Sequence, residues 1–83
     1  MEILFHPHAL DRMSERGTTE DEVRRAIEFG GQFLARFGRT GFRRNFTFDS
    51  QWHEKYYHTK QLEIYAVKED DHWLVITVIT KYF

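Results

Sequence analysis

The chain predicts an α+β fold: two N-terminal helices packed on an antiparallel sheet of three to four strands. Three observations carry that expectation. Helix punctuation (a proline, a capping box and glycine stops) is confined to residues 7–31. From Phe33 onward the apolar period changes from helical to alternating. The chain is also 17% aromatic, with eight Phe, four Tyr and two Trp, so 83 residues can close one core but not two. Residues 1–83 are therefore expected to form a single domain.

The elements follow in order. Glu2 to Phe5 reads as a short edge strand. Pro7 suits the first turn of a helix, where its missing N–H has no partner to lose. Ala9, Leu10 and Met13 form an apolar stripe at helical spacing, and Gly17 stands where a helix ends in a left-handed residue. Thr19-Glu20-Asp21-Glu22 is a capping box, with Val23, Ala26 and Ile27 as the buried face behind it. Glu20–Arg24, Asp21–Arg25 and Arg24–Glu28 are opposite charges at helical spacing on a solvated face. Gly30-Gly31 stops this helix.

"FLARF" and "FRRNFTF" flank Gly38-Arg39-Thr40-Gly41, which reads as a turn. Phe42, Phe46 and Phe48 share one face with Arg44, while Arg43, Asn45 and Thr47 point the other way. "QLEIYAVKE" and "HWLVITVIT" flank Asp70-Asp71 and read as a hairpin. Its last run is apolar on both faces, as in a strand inside a sheet. "WHEKYYH" fits either a strand or an aromatic-rich loop.

Net charge is −1, which does not favour the strongly basic class of nucleic-acid binders. Charge is nonetheless segregated. Arg36, Arg39, Arg43 and Arg44 lie in a stretch with no acid before Asp49, and acids gather at residues 11–28 and 63–71. There is no cysteine, which removes disulfides, thiolate metal sites and thiol nucleophiles. Neither a signal peptide nor a membrane-length apolar run is read, so a cytoplasmic protein without a membrane partner is expected. The five histidines lack metal-site spacing, the glycines form no phosphate loop, and Ser14 and Ser50 have no nucleophile context. No metal or other cofactor is expected.

Two clusters carry chemistry. His8, Arg12 and Arg16 are four residues apart, so on a helix they form one stripe. At about 1.5 Å per residue the stripe runs roughly 12 Å, a few phosphates long. Arginine grips phosphate oxygens in a planar fork and histidine titrates near neutrality. The alternative is a solvated helix face with its arginine stems over the core. Lys55-Tyr56-Tyr57-His58 offers a cation, two phenols and an imidazole; it can also be read as half-buried aromatics with solvated flanks. Thr77 and Thr80, in the most apolar strand, present hydroxyls to opposite faces.

"HALDRMSERGTTEDEVRRAIE", with "LEIYAVKEDDHWLVITVITKYF", resembles a family of small bacterial domains of unknown function. These open with His-Ala-x-x-Arg-Met-x-x-Arg-Gly, close on a Val-Ile-Thr-Val hairpin, and are allied to RelE/ParE-like toxins. The resemblance covers about half the chain, His8 to Glu28 and Leu62 to Thr80. It implies the fold of barnase-, EndoU- and RelE-like ribonucleases, metal-independent RNA cleavage and a toxin–antitoxin setting. By position, His8, Arg12, Arg16 and Thr77 match the polar residues of its motifs.

The expected activity is thus RNA endonuclease action using the 2′-hydroxyl as internal nucleophile. His8 would move a proton, Arg12 and Arg16 would hold the scissile phosphate, and Lys55 or Arg44 would offset its charge. Tyr56 or Tyr57 would stack a flanking base, Thr77 would orient an oxygen, and Arg43 would join Arg44 in RNA binding. Expected partners are RNA, ribosome-associated or free, and a cognate antitoxin protein. The competing expectation is a non-catalytic module of the same fold that acts through a protein partner.

Overall fold

The computed structural model describes all 83 residues. The chain order is β1 (Glu2–Phe5), α1 (Pro7–Arg16), α2 (Glu20–Phe29), β2 (Gly31–Leu34), β3 (Thr40–Trp52), β4 (Lys55–Glu69) and β5 (His72–Tyr82). All strands join one five-stranded sheet in the order β1-β5-β4-β3-β2. The expected sheet was smaller and wholly antiparallel. In fact β1 pairs parallel with β5, Glu2 opposite His72 through Phe5 opposite Val75. The sequence distance between those partners explains the difference: nothing local to Glu2–Phe5 specifies a mate at the other end of the chain.

Both helices begin as their sequences dictate. His6 caps α1, its imidazole Nδ1 accepting the His8 N–H at 3.1 Å. Thr19 and Glu22 complete their capping box, the Thr19 hydroxyl accepting from the Glu22 N–H at 3.1 Å and Glu22 Oε1 from the Thr19 N–H at 2.9 Å. Gly17 ends α1 in the left-handed region at φ 70°. Of the three expected ion pairs on α2, Glu20–Arg24 and Asp21–Arg25 form, and Arg24–Glu28 does not.

Both helices lie on one face of the sheet. Ala9 and Met13 of α1 and Val23 and Ala26 of α2 pack with Phe42, Leu62, Ile64, Ala66, Val75 and Val78. Leu62, Ile64, Val23 and Val75 are fully buried, and such side chains contribute about 1.5–3 kcal/mol each. Leu10, expected in this core, is 40% exposed. It sits about 100° around the helix from Ala9, outside the narrow arc that α1 turns to the sheet.

Turns refine the sequence reading. The bend before β3 falls at Phe37 and Gly38, both with positive φ, while Thr40 and Gly41 already belong to β3. Gly41 is needed inside the strand because the Phe33 ring occupies the space its Cβ would take. "WHEKYYH" is hairpin: His53 and Glu54, at φ 49° and 70°, link Trp52 to its partner Lys55. Two consecutive positive φ values suit a tight turn whose twist matches the strands. Asp70 turns the last hairpin at φ 49°.

Candidate functional site

The four residues of β1 reach only to Val75. The His6 N–H makes the last bond to β5, to the Val75 carbonyl at 2.9 Å, and Pro7 then starts the helix. In consequence α1, not a strand, lies beside the second half of β5. Two bonds fix it there. The hydroxyls of Thr18 and Thr80 share a buried hydrogen bond of 2.7 Å, and the Tyr82 hydroxyl donates to the Arg16 carbonyl at 2.5 Å.

This packing leaves a groove of about 290 Å³ lined by His8, Arg12 and Arg16 from α1 and by Thr77, Val78, Ile79 and Thr80 from β5. Thus the helical stripe and Thr77, distant in sequence, share one concavity. Arg16 makes no ion pair, and Arg12 has only the solvent-exposed Glu15 at 3.5 Å. Such an exposed contact contributes little, so both guanidiniums are free to take an anion.

Backbone donors face the same place. Thr59 and Phe83 exchange reciprocal bonds of 2.7 and 2.9 Å, which sets the phase of the β4–β5 ladder. The pairs Leu62–Thr80 and Ile64–Val78 continue that register. Because bonded and non-bonded pairs alternate, the amides of Val78 and Thr80 point away from β4, toward α1. Guanidinium cations and outward-turned strand amides are the groups by which proteins hold anions.

A second recess adjoins the first, since Arg16, Ile79 and Thr80 line both. Its far wall is Trp52, His53, Tyr57, Lys81 and Tyr82. Three of these rings form a ladder: Tyr82 stacks on Trp52 at 5.1 Å and Trp52 on His53 at 4.3 Å, each pair tilted by 16°. Burial raises the Tyr82 phenol above its ordinary value; the Glu22 carboxylate adds to the rise, and the Arg16 cation offsets part of it.

The other expected residues disperse. Tyr57 lines the second recess, and the Lys55 ammonium stands 5.6 Å from the Tyr57 ring centre, so Lys55 reaches the site only through that ring. Tyr56 faces elsewhere. Its hydroxyl donates to Asp49 Oδ1 at 3.1 Å, and the same oxygen bonds His58 Nδ1. The hydrogen bond to Asp49 is the main reason its phenol is shifted up, followed by burial and the Asp49 charge.

Arg43 and Arg44 stand on β3, separated from β5 by β4. Two strand spacings are about 10 Å. Arg43 pairs with Glu63 through bonds of 2.8 Å on the sheet face without helices. Arg44, on the helix face, donates to the Arg25 carbonyl at 3.4 Å and lies over the Phe29 and Phe46 rings. Neither lines the groove.

Sequence reasoning missed Trp52, His53, Lys81 and Tyr82. The aromatic run "WHEKYYH" was the available signal, but only the hairpin turn shows which of its rings meet Arg16. No three His, Asp or Glu side chains are placed to hold a metal ion, and no helix is long and apolar enough to cross a membrane.

No curated protein and no solved structure matches the chain. One family does: residues 5–80 match the domain of unknown function DUF4258, and that span takes in both helices, β2, β3 and β4 whole, the last residue of β1, β5 as far as Thr80, and both walls of the groove. The chain belongs to the DUF4258 family.

Proposed function

We propose that the chain is a metal-independent RNA endonuclease of toxin–antitoxin type, acting in the cytoplasm at the groove between α1 and β5. One observation carries this reading: His8, Arg12, Arg16 and Thr77 line a single concavity. An RNA phosphodiester needs a cationic fork for its non-bridging oxygens and a proton acceptor beside the ribose. Arg12 and Arg16 supply the fork, with the Val78 and Thr80 amides as further donors. His8 takes the proton from the 2′-hydroxyl. The 2′ oxygen attacks phosphorus, the bond to the 5′ oxygen breaks, and that oxygen takes a proton from solvent. The products are a 2′,3′-cyclic phosphate and a 5′-hydroxyl. Thr77 orients a phosphate oxygen, and the His53 end of the ring ladder offers a face for a flanking base.

The test is incubation of wild-type and His8→Ala protein with single-stranded RNA in EDTA. Cleavage by the wild type alone is expected. Equal cleavage by both, or none by either, overturns the role of His8. Expression of the chain alone should arrest growth, and His8→Ala should relieve the arrest.

A second reading is a non-catalytic module that acts through a protein partner, such as a cognate antitoxin. It is favoured by the apolar side chains left in solvent at the β2 edge, Leu34 and Phe37. Normal growth with the chain expressed alone, together with stoichiometric recovery of a protein partner, would decide for it.

A further inference from the structure

β2 forms the outer edge of the sheet, bonded to β3 on one side only. The Ala35 N–H donates to the Arg39 carbonyl at 3.0 Å, one step beyond the Phe33–Gly41 register pair. Alternation then turns the backbone groups of Gly31 and Phe33 inward. The N–H and C=O of Gln32 and Leu34 point out of the sheet.

Around this edge the fold leaves large apolar side chains in water. Leu34 is 94% exposed, Phe37 86% and Phe29 67%. Scattered exposed apolar residues are ordinary, but three beside one open strand edge are not scattered. Phe37 also holds its exposed ring on a left-handed backbone, φ 62°, an uncommon conformation for a bulky residue. A groove of about 410 Å³, formed by Phe33, Leu34, Phe37 and Tyr65 among others, runs alongside.

The charge here has one sign. From Phe29 to Phe48 the chain holds four arginines and no acid. Arg43 is taken by Glu63, and Arg44 by the Arg25 carbonyl and two rings. Arg36 and Arg39 line the groove beside β2 with no carboxylate in reach.

We propose that the β2 edge receives an extended, acidic segment of a partner protein, added as a further strand beside Gln32–Leu34. Main-chain bonds to Gln32 and Leu34 supply register, Arg36 and Arg39 pair with its carboxylates, and its apolar side chains cover Leu34 and Phe37. The groove beside β2 shares only Thr77 with the α1–β5 groove, and strand addition at Gln32–Leu34 does not depend on RNA cleavage.

The test uses the whole chain, isotope-labelled for NMR, and a capped peptide of alternating Val and Glu as probe. The same peptide with Lys in place of Glu is the control. The Glu peptide should shift the amides of Gln32, Leu34 and Phe37 and slow hydrogen exchange at Gln32 and Leu34. The double variant Arg36→Glu/Arg39→Glu alters exposed side chains outside the core, and it should bind the Glu peptide about tenfold more weakly. Binding of neither peptide, equal binding of both, or a double variant that binds as well as wild type would overturn the proposal. So would concentration-dependent dimerisation abolished by Leu34→Asp, or a single-stranded RNA that moves the same amides.

Discussion

The ammonium of Lys60, 3% exposed in the middle of β4, lies 2.9 Å from Glu22 Oε1. It also donates to the Gly17 carbonyl at 2.7 Å, and the Phe48 and Tyr82 rings stand 5.8 and 5.7 Å away. One buried cation therefore ties the end of α1, the capping box of α2 and the ring cluster to the sheet. Removing one partner of such a pair strands the other charge, which is worse than removing both. Glu22→Ala should cost about 3 kcal/mol in urea denaturation. Lys60→Met should cost less, because the Glu22 carboxylate it leaves is partly exposed and still accepts the Thr19 N–H. The double variant should lie well short of the sum of the two, because the sites are coupled.

Gly17 should resist substitution. Its φ of +70° strains any other residue, and an added Cβ would meet the Trp52 ring at 2.5 Å. Gly17→Ala is expected to destabilise by about 1–3 kcal/mol. Because Trp52 carries the ring ladder, its fluorescence should change in the folded variant too.

The Arg43–Glu63 pair gives a pH dependence of stability. Burial works against the Glu63 charge, but hydrogen bonds from Arg43 and Tyr65, with the fields of Arg43 and Lys81, outweigh it and hold its carboxyl below the ordinary 4.5. A depressed folded value means the stabilisation is complete above about the unfolded value and is lost as pH falls through the folded one. Glu63→Gln should therefore be less stable than wild type at neutral pH. That gap should narrow on acidification below 4.5, as measured by thermal melts across pH.

His8 is solvent-exposed and its side chain makes no hydrogen bond within the protein, so His8→Ala should keep the melting temperature of wild type. RNA cleavage should fall about 10²–10⁴-fold, the usual contribution of a general base. A matching loss of stability would show that the residue serves the fold instead.

Arg16 should show itself in salt dependence. Each phosphate contact released by substitution flattens the log–log salt slope of single-strand binding by about 0.7. Arg16→Ala should give that change and Arg44→Ala none, since Arg44 is committed to the Arg25 carbonyl and two rings on another strand.

Local chemistry was legible along most of the chain. Pro7, Gly17, the Thr19–Glu22 box and Asp70 mark their elements because caps and turns are set by residues within a few positions of each other. The stripe of His8, Arg12 and Arg16 was equally plain, since helical period alone aligns it.

What lay outside the sequence is everything that depends on partners far along the chain. That β1 joins β5 in parallel, that α1 then occupies the rest of the β5 edge, and that Thr77 lines the same groove as the stripe all follow from contacts some seventy residues apart. The same holds for the arginines of β3. Residue type marked Arg43 and Arg44 as phosphate ligands, but Glu63 and the Arg25 carbonyl had already engaged them. The sequence by itself determined which groups can hold an anion; the tertiary structure decided which of them stand together, because a charge is available only where the fold leaves it unpaired.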